Sequence, residues 1–406
     1  MRKSFILLLG AVLLTISYHS VAQNKKPNYV GQESQNTITT AVPFLMIGPD
    51  ARSGGMGELG AATTPDANSM HWNPAKYPFI NKKMGFAVSY SPWLRKLVND
   101  INLAYLAGFY KIDDKSAVSA SLTFFSLGDI TFTDIQGETI GNYRPSEFSI
   151  DGNYSRKFSP KLSGAVSLRF IYSNLTQGQF VQGTATKAGT SIATDVAIFH
   201  TNELNINGLE SARLNWGINI SNIGAKISYS NDDMTKDFIP TNLRIGPSFH
   251  IDIDDYNSFT FQFDLNKLLV PTPPIYETDT LGNPILDGAG NKVILKGKNP
   301  DVSVVQGMIQ SFYDAPGGLT EELKEIIWVV GVEYWYDKQF AVRAGYFHES
   351  SMKGNRKFFT LGAGLRYNIF GLDFSYLIPT EQQNPLQNTL RFTLTFNFEG
   401  FKSQSE

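Results

Sequence analysis

The sequence predicts an all-β fold, a transmembrane antiparallel β-barrel of about fourteen strands. Three observations lead to this prediction: an apolar N-terminal segment typical of export, a composition poor in charge, and repeated alternation of apolar and polar residues. Charged residues make up 18% and aromatic residues 13% of the 406 residues, whereas soluble domains have about 25% charged residues. Few charges and many aromatic rings are what lipid-facing strands would produce.

Residues 1 to 22 are predicted to be a secretory signal peptide. Arg2 and Lys3 precede an apolar run that ends at Ile16, and Ala22 ends a small-residue cleavage site. The apolar run is shorter than the about 20 residues that a membrane-spanning helix needs. The mature chain is therefore expected to leave the cytoplasm without a helical anchor.

Composition excludes several classes of site. The chain contains no cysteine, so a disulfide framework, a thiolate metal site and a lipid-modified cysteine are all ruled out. The formal net charge is -2, which gives no general attraction to nucleic acid. The five histidines lie far apart and lack metal-site spacing, so neither a metal nor another cofactor is expected.

Residues 39 to 80 are predicted to form a hatch, or plug, in the barrel lumen, preceded by a periplasmic extension over residues 23 to 38. The plug segment is rich in Gly and Ala and shows no convincing alternation. Gly54, Gly55 and Gly57 would let it turn tightly in a crowded lumen. Gly55, Gly57 and Gly60 form a G-x-G-x-x-G pattern, but no strand precedes it and no βαβ unit follows, so a dinucleotide site is not favoured.

From Met84 onward the chain alternates between apolar and polar residues, the period-2 pattern of a strand with two different faces. The last segment is the clearest, because Leu394 and Phe396 alternate with Thr393 and Thr395. The fourteen predicted segments are residues 84–91, 101–112, 115–127, 146–157, 161–175, 189–200, 212–223, 241–253, 257–268, 325–336, 338–348, 356–369, 370–378 and 387–398. A soluble β-sandwich would also alternate, but its strands are usually shorter.

Connection lengths support the barrel over residues 81 to 399. Outer-membrane barrels have short periplasmic turns and longer extracellular loops, and here short and long connections largely alternate, with residues 201 to 211 as one overlong turn. An even number of strands then places both termini, including a tail over residues 400 to 406, in the periplasm. The long connections are residues 128–145, 176–188, 224–240 and 269–324.

The polar faces of the strands would form the lumen, where charged side chains must be wet, paired or covered. The predicted lumen-facing charges are Arg169, Arg244, Asp264, Glu333, Arg343, Arg366 and Arg391, together with Asp195, His250 and Asp373.

The insert over residues 269 to 324 is predicted to be a long extracellular loop with short helices. Asn299-Pro300-Asp301 has the pattern of a helix start, and apolar residues follow it at helical spacing. Two interpretations stay open: the apolar face folds back onto the barrel rim, or it docks a partner. The candidate partner-binding residues are Val305, Met308, Ile309, Phe312 and Tyr313.

Enzymatic activity is not expected. No G-x-S-x-G motif is present. His348, Ser350 and Ser351 are close in sequence and could serve a lipid A deacylase at the rim, but no ordered acid accompanies them.

Three stretches resemble the PorV family of the type IX secretion system of Bacteroidetes. They are residues 51 to 57 with the hatch motif Asn73-Pro74-Ala75, residues 311 to 318, and residues 354 to 364. The first stretch also resembles FadL-like outer-membrane transporters, although Asn73 and Pro74 alone would be an ordinary turn. The other two stretches therefore carry the narrower assignment.

The resemblance implies a fourteen-stranded barrel in outer-membrane lipid that partners the giant translocon barrel SprA (Sov). Such a protein receives secreted cargo through the cargo's conserved C-terminal domain. It then passes the cargo to a surface complex containing the protease PorU. The alternative is a FadL-like carrier of lipids or hydrophobic small molecules, which a plugged polar lumen would suit equally well.

Overall fold

Fourteen antiparallel strands close into one barrel, in which each strand pairs with its neighbours along the chain. The computed structural model describes residues 35–94, 100–133, 136–181, 184–230, 236–281, 283–381 and 385–399. The strands are β1 (Met84–Pro92), β2 (Asn102–Lys111), β3 (Ser116–Ser126), β4 (Ser146–Ser159), β5 (Leu162–Asn174), β6 (Gly189–Leu204), β7 (Ser211–Gly224), β8 (Asn242–Asp252), β9 (Asn257–Leu268), β10 (Ile327–Tyr336), β11 (Phe340–His348), β12 (Lys357–Tyr367), β13 (Phe370–Pro379) and β14 (Leu390–Phe398). The predicted fold class and strand number are confirmed.

Closure joins β1 to β14 in register, with Met84 opposite Phe398 and Tyr90 opposite Phe392. On the outer face of this seam the rings of Phe86 and Phe396 stack with their centroids 4.6 Å apart. A closed sheet leaves no edge strand, so no strand exposes a free row of backbone N–H and C=O groups to lipid.

Alternation sorts side chains between the two faces of the wall. In β9, Phe261 and Phe263 are exposed on the outside, whereas Thr260, Gln262 and Asp264 are buried inside. This distribution is the reverse of a soluble protein because lipid solvates the apolar face.

Short turns lie at one end of the barrel and longer loops at the other. Asp113 shows how a short turn is fixed: its carboxylate accepts hydrogen bonds from the backbone N–H groups of Lys115 and Ser116, both at 2.7 Å. The connection predicted to be overlong shrinks to residues 205 to 210, because β6 extends to Leu204. The loops at the other end carry small hairpins at Ile130–Thr133 with Thr139–Tyr143, Phe180–Val181 with Thr184–Ala185, and Ile275–Tyr276 with Ile294–Lys296.

The segment before β1 runs through the lumen from the long-loop end to the short-turn end. The Ala41 N–H donates to the carbonyl of Phe238 in a long loop, and the Lys111 ammonium near the β2–β3 turn donates to the carbonyl of Ile80. Between these points lie a 3-10 turn (Pro43–Met46), the helical turns α1 (Ala51–Gly54) and α2 (Ser69–Trp72), and a second 3-10 turn (Pro74–Phe79).

This path differs from the sequence-based expectation for the N-terminal extension. The Asn36 N–H donates to the carbonyl of Met352, and its side chain donates to the Pro273 carbonyl at 3.1 Å, so residue 36 lies at the long-loop end. Phe398, at the end of β14, lies beside Met84 at the short-turn end. The two ends of the described chain therefore lie at opposite ends of the barrel and not on one side. The predicted signal peptide and residues 400 to 406 lie outside the described residues.

The apolar core sits inside the barrel, between the segment and the wall. Near the long loops, Val42 and Phe44 pack with Leu103 and Phe125. Near the short turns, Tyr77 packs with Phe109, with ring centroids 5.5 Å apart. Among the described residues, no helix has both the length and the apolar content needed to cross a bilayer.

Candidate functional site: the filled lumen and the insert at the long-loop rim

Close backbone approach places α1 and the residues after it against the wall. A Cβ on Gly55 would lie 2.9 Å from the Cα of Gly362 in β12, so only a glycine fits between these backbones. Gly57 adopts a φ of 83°, which favours glycine, and packs against Tyr346. Gly54 lies against the side chain of Arg391. These glycines allow the segment to pack closely against β11, β12 and β14.

Asn73-Pro74-Ala75 forms a second contact between the segment and the wall, on β5 and β6. The Asn73 amide donates to the Ala61 carbonyl at 2.8 Å and to the Ile198 carbonyl of β6 at 3.0 Å. Its side-chain oxygen accepts from the Ala75 N–H at 3.0 Å and caps the second 3-10 turn, in which Pro74 is the first residue. The Ala75 carbonyl in turn accepts from the Ser163 hydroxyl of β5.

A chain of buried ion pairs links the segment to β10, β11 and β13. Arg52 donates to Glu333 through Nε at 3.0 Å and Nη2 at 2.8 Å. Arg343 donates to the same carboxylate at 2.7 Å and to Asp373 at 2.8 Å. Arg366 donates to Asp373 at 2.6 Å. Because Glu333, Arg343 and Asp373 are each 3% exposed or less, their charges are balanced by protein groups and not by solvent.

The other predicted lumen charges also meet partners. Asp264 accepts from the N–H groups of Gly60 and Ala61 at 2.7 and 2.9 Å. The Arg244 guanidinium lies 4.5 Å from the ring centroid of Trp72. Arg169 pairs with Asp151 and Asp195, and Arg391 pairs with Glu58. The structure thus brings the predicted charges together around the segment, in groups that the sequence did not indicate.

The insert carries two helices, α3 (Val304–Gln310) and α4 (Leu319–Lys324). The predicted helix start at Asn299-Pro300-Asp301 is wrong. Ser303 caps α3, accepting from the Gln306 N–H at 3.4 Å. The Asn299 side chain instead accepts from the Asp301 N–H at 2.9 Å, which closes a local turn before the helix can begin.

Most apolar residues of α3 and the following turn are exposed. Val305 is 65%, Ile309 60%, Phe312 50% and Tyr313 55% exposed, whereas Met308 is half-buried. Leu319 and Leu323 of α4 are similarly exposed. The opposite side of α3 packs tightly, because a Cβ on Gly307 would lie 3.0 Å from the Phe238 ring. We call Val305, Ile309, Phe312 and Tyr313 the apolar face of the insert.

Buried ion pairs hold α4 on the rim. Lys267 at the end of β9 pairs with Glu322 at 3.1 Å and with Glu325 at 2.5 Å. Lys353 in the β11–β12 loop pairs with Glu321 at 2.6 Å and with Glu325 at 2.9 Å. All five side chains are nearly inaccessible to solvent, so the insert is fastened to the barrel.

Sequence reasoning missed this anchor. Glu321 and Glu322 were interpretable only as residues of a helix start, and Lys267 and Lys353 lie far from them in sequence. The Asn36 side chain joins the anchor, donating to Glu321 at 2.9 Å. The available signal was the high charge density at the end of the insert, next to a strand end.

Two carboxylates of the insert have shifted pKa values. Burial raises the pKa of Asp314 to about 6, although its carboxylate accepts from the Thr272 N–H at 3.1 Å. Burial alone would raise the pKa of Glu321 as well, but hydrogen bonds from Lys353 and the Gly317 N–H hold it below its usual range.

The side chains considered for a hydrolytic site lie in ordinary structural contacts. His348 stacks on Trp328, with ring centroids 4.7 Å apart, and lies 3.3 Å from the Tyr346 hydroxyl. Ser350 accepts from the Met352 N–H at 3.4 Å. Within the residues that the structure describes, no group of three or more His, Cys, Asp or Glu side chains could hold a metal ion.

Comparisons with known proteins give one family and a set of similar structures. The family described as type IX secretion system protein PorV matches residues 30–275. The Pseudomonas putida toluene transporter TodX is 12% identical, with 89% of this chain and 98% of that chain covered and a TM-score of 0.48. The Ralstonia pickettii toluene transporter TbuX is 12% identical, with 87% and 98% covered and a TM-score of 0.44. A Pseudomonas aeruginosa FadL homologue is 12% identical, with 90% and 100% covered and a TM-score of 0.42. No curated protein matches the sequence.

Proposed function

Since the chain belongs to the family of type IX secretion system protein PorV, which matches more than half of its length, we propose that it docks a large translocon barrel through the apolar face of its insert. The chain is an outer-membrane β-barrel of this secretion-system family. In the proposed role it binds exported cargo through the cargo's C-terminal domain and hands it to a surface complex with a PorU-like protease. The family supports the cargo and protease steps, and the insert supports the docking step.

One observation carries the docking proposal: an exposed apolar face lies on an insert that buried ion pairs fasten to the barrel. A free apolar face is costly in water unless a partner covers it. A surface that is already ordered also loses little conformational entropy on binding. The anchor at Lys267 and Lys353 supplies that order.

The position of the anchor favours a partner in the same membrane. By alternation, Lys267 follows Phe261, Phe263 and Leu265 onto the outward side of β9, yet it is buried because Glu322 and Glu325 cover it. Its ammonium also lies 5.7 Å from the Phe312 ring centroid. The insert therefore leans over the outer edge of the rim, where a neighbouring barrel could reach it.

We also propose that the long-loop end faces the cell exterior and that residues 39 to 80 close the lumen. The short turns support this orientation, because outer-membrane barrels place such turns in the periplasm. Contacts of the segment with β6, β9, β10 and β12 support closure.

The docking proposal is tested by removing the apolar face without touching the anchor. In the variant V305S/I309S/F312S we expect recovery of the translocon and secretion of cargo to fall, while heat-modifiable mobility and abundance of the barrel stay normal. The matched control is L281S/L286S/L295S, which removes three exposed leucines from the hairpin region of the same insert. Full secretion by a stably assembled V305S/I309S/F312S variant would contradict the proposal. Equal losses in both variants would show that docking does not depend on this face. A lone barrel that carries fatty acid would instead favour the carrier alternative.

A further inference from the structure

A cavity of about 480 Å³ opens at the short-turn mouth of the barrel, far from the insert. The lumen segment forms its floor, with Arg52, Asp66 and Ile80, and strand ends form its walls, with His250 and Trp335. Because the segment occupies the lumen behind this floor, a molecule that enters from this end meets a closed pocket. Its volume lies in the range of about 300 to 1,000 Å³ that is usual for small-molecule sites.

Basic side chains predominate in the lining. Arg52, Lys82, Arg213, Lys338 and Arg366 face Asp66 and Asp252 across the cavity. Asp66 is already paired with Arg52 at 2.7 Å. Asp252 contacts His250 at 3.3 Å and accepts from the Ser211 hydroxyl. Lys82 pairs with Glu399 at 2.6 Å and Arg366 pairs with Asp373 at 2.6 Å, so among the described residues Arg213 and Lys338 are the cations of the lining that have no ion pair.

Two cations and one buried hydroxyl of the lining lack a partner among the described residues. Within the described part of the chain, the side chains of Arg213 and Lys338 form no ion pair or hydrogen bond, whereas Arg52 uses its donors on Glu333, Asp66 and Thr64. The Thr395 hydroxyl is buried, at 4% exposure of the residue, and also has no hydrogen-bond partner. A buried hydroxyl without a partner costs free energy, and a ligand with acceptor atoms would remove that cost.

We propose that this cavity binds a small anion that carries carboxylate or phosphate groups. Arg213 and Lys338 supply charge-assisted hydrogen bonds, which are stronger than neutral ones, and Thr395 donates from the wall. The basic residues of the lining outnumber its two carboxylates, and such an excess of one sign of charge concentrates the oppositely charged ligand. Trp335 forms an apolar wall, and the guanidinium groups of Arg366 and Arg343 lie 5.2 and 5.3 Å from its ring centroid. This inference does not depend on the proposed secretion role.

The test is isothermal titration calorimetry on the full chain in detergent, at constant ionic strength, with inorganic phosphate in one arm and citrate in the other. We expect saturable binding of at least one of the two anions. The variant R213A/K338A should bind at least tenfold more weakly, and T395V should show a smaller loss. The matched control R156A/K115A removes two basic residues at the same end of the barrel but outside the cavity lining.

Two outcomes would overturn the proposal. The first is the absence of saturable heat with both anions for the unmodified protein. The second is an equal change of affinity in the two double variants, which would indicate general charge attraction. Heat-modifiable mobility of each variant shows that the barrel has folded before binding is compared. Binding of phosphate alone, or of citrate alone, identifies which chemical group the cavity prefers.

Discussion

Glu333 is the point at which the lumen segment and the barrel wall depend most on one another. Its carboxylate accepts from Arg52 at 3.0 and 2.8 Å and from Arg343 at 2.7 Å. Glu333→Gln removes the negative charge at nearly constant volume. The new amide group also places a donor where guanidinium donors already point.

The expected loss of stability depends on the ion pairs that each arginine retains in the variant. Arg52 retains Asp66 at 2.7 Å, and Arg343 retains Asp373 at 2.8 Å. Neither guanidinium is therefore left without a carboxylate, and the cost should fall at the lower end of the about 3 to 5 kcal/mol seen when one partner of a buried pair is removed. We expect the free energy of unfolding to fall by about 3 kcal/mol.

The assay is urea unfolding of the purified barrel, followed by the fraction that keeps its heat-modifiable mobility. The control is Glu399→Gln, which breaks the exposed pair between Lys82 and Glu399, where the two side chains are 42% and 85% exposed. Solvent screens such a pair, so the unfolding midpoint of the control should match that of the unmodified protein. If Glu333→Gln also unfolds at the unmodified midpoint, the ion-pair network does not hold the segment in place.

Three further outcomes are expected. The pKa of Asp314 is raised to about 6 from 3.8, so the folded insert binds a proton more tightly than the unfolded chain, and the stability of the insert should fall as pH rises from about 4 to about 6. Asp314→Asn should therefore flatten the pH dependence of proteolytic cleavage within residues 269 to 324. An unchanged pH profile in this variant would argue against a raised pKa of Asp314. The chain has no cysteine. Thr37, which is exposed beside Asn36 at the long-loop end, should therefore react as Thr37→Cys with a membrane-impermeant maleimide in intact cells, while Lys338→Cys reacts only after lysis. The opposite pattern would reverse the proposed orientation. Deletion of residues 39 to 78 should leave a barrel that admits antibiotics and dyes, and normal exclusion at normal surface levels would place the barrier elsewhere.

The wall of the barrel could be predicted from the sequence because the alternation within each strand distinguishes its outer face from its inner face. Alternation at Leu394 and Thr395, for example, is local information that needs no knowledge of neighbouring strands. The same parity placed Glu333, Arg343 and Asp264 on the inner face, where they are buried.

The pairing of buried charges and the path of the lumen segment could not be predicted from alternation, because both depend on residues that are distant in sequence. Arg52 and Glu333 are 281 positions apart, and no local pattern indicates their contact. The start of α3 was misplaced because Asn299 has the chemistry of a helix cap but uses it in a turn. The route of the lumen segment was missed for a related reason: nothing around Asn36 indicates that it lies beside Glu321 and Met352.

Site-specific photo-crosslinking in living cells tests the docking claim most directly. A crosslinking amino acid at position 309, where Ile309 is 60% exposed on the insert, is compared with one at position 168, where Leu168 is 65% exposed on the lipid side of β5. We predict that position 309 forms an adduct with a very large outer-membrane protein and that position 168 does not. The absence of any adduct at position 309, or the same adducts at both positions, would contradict the claim that the insert is the docking surface.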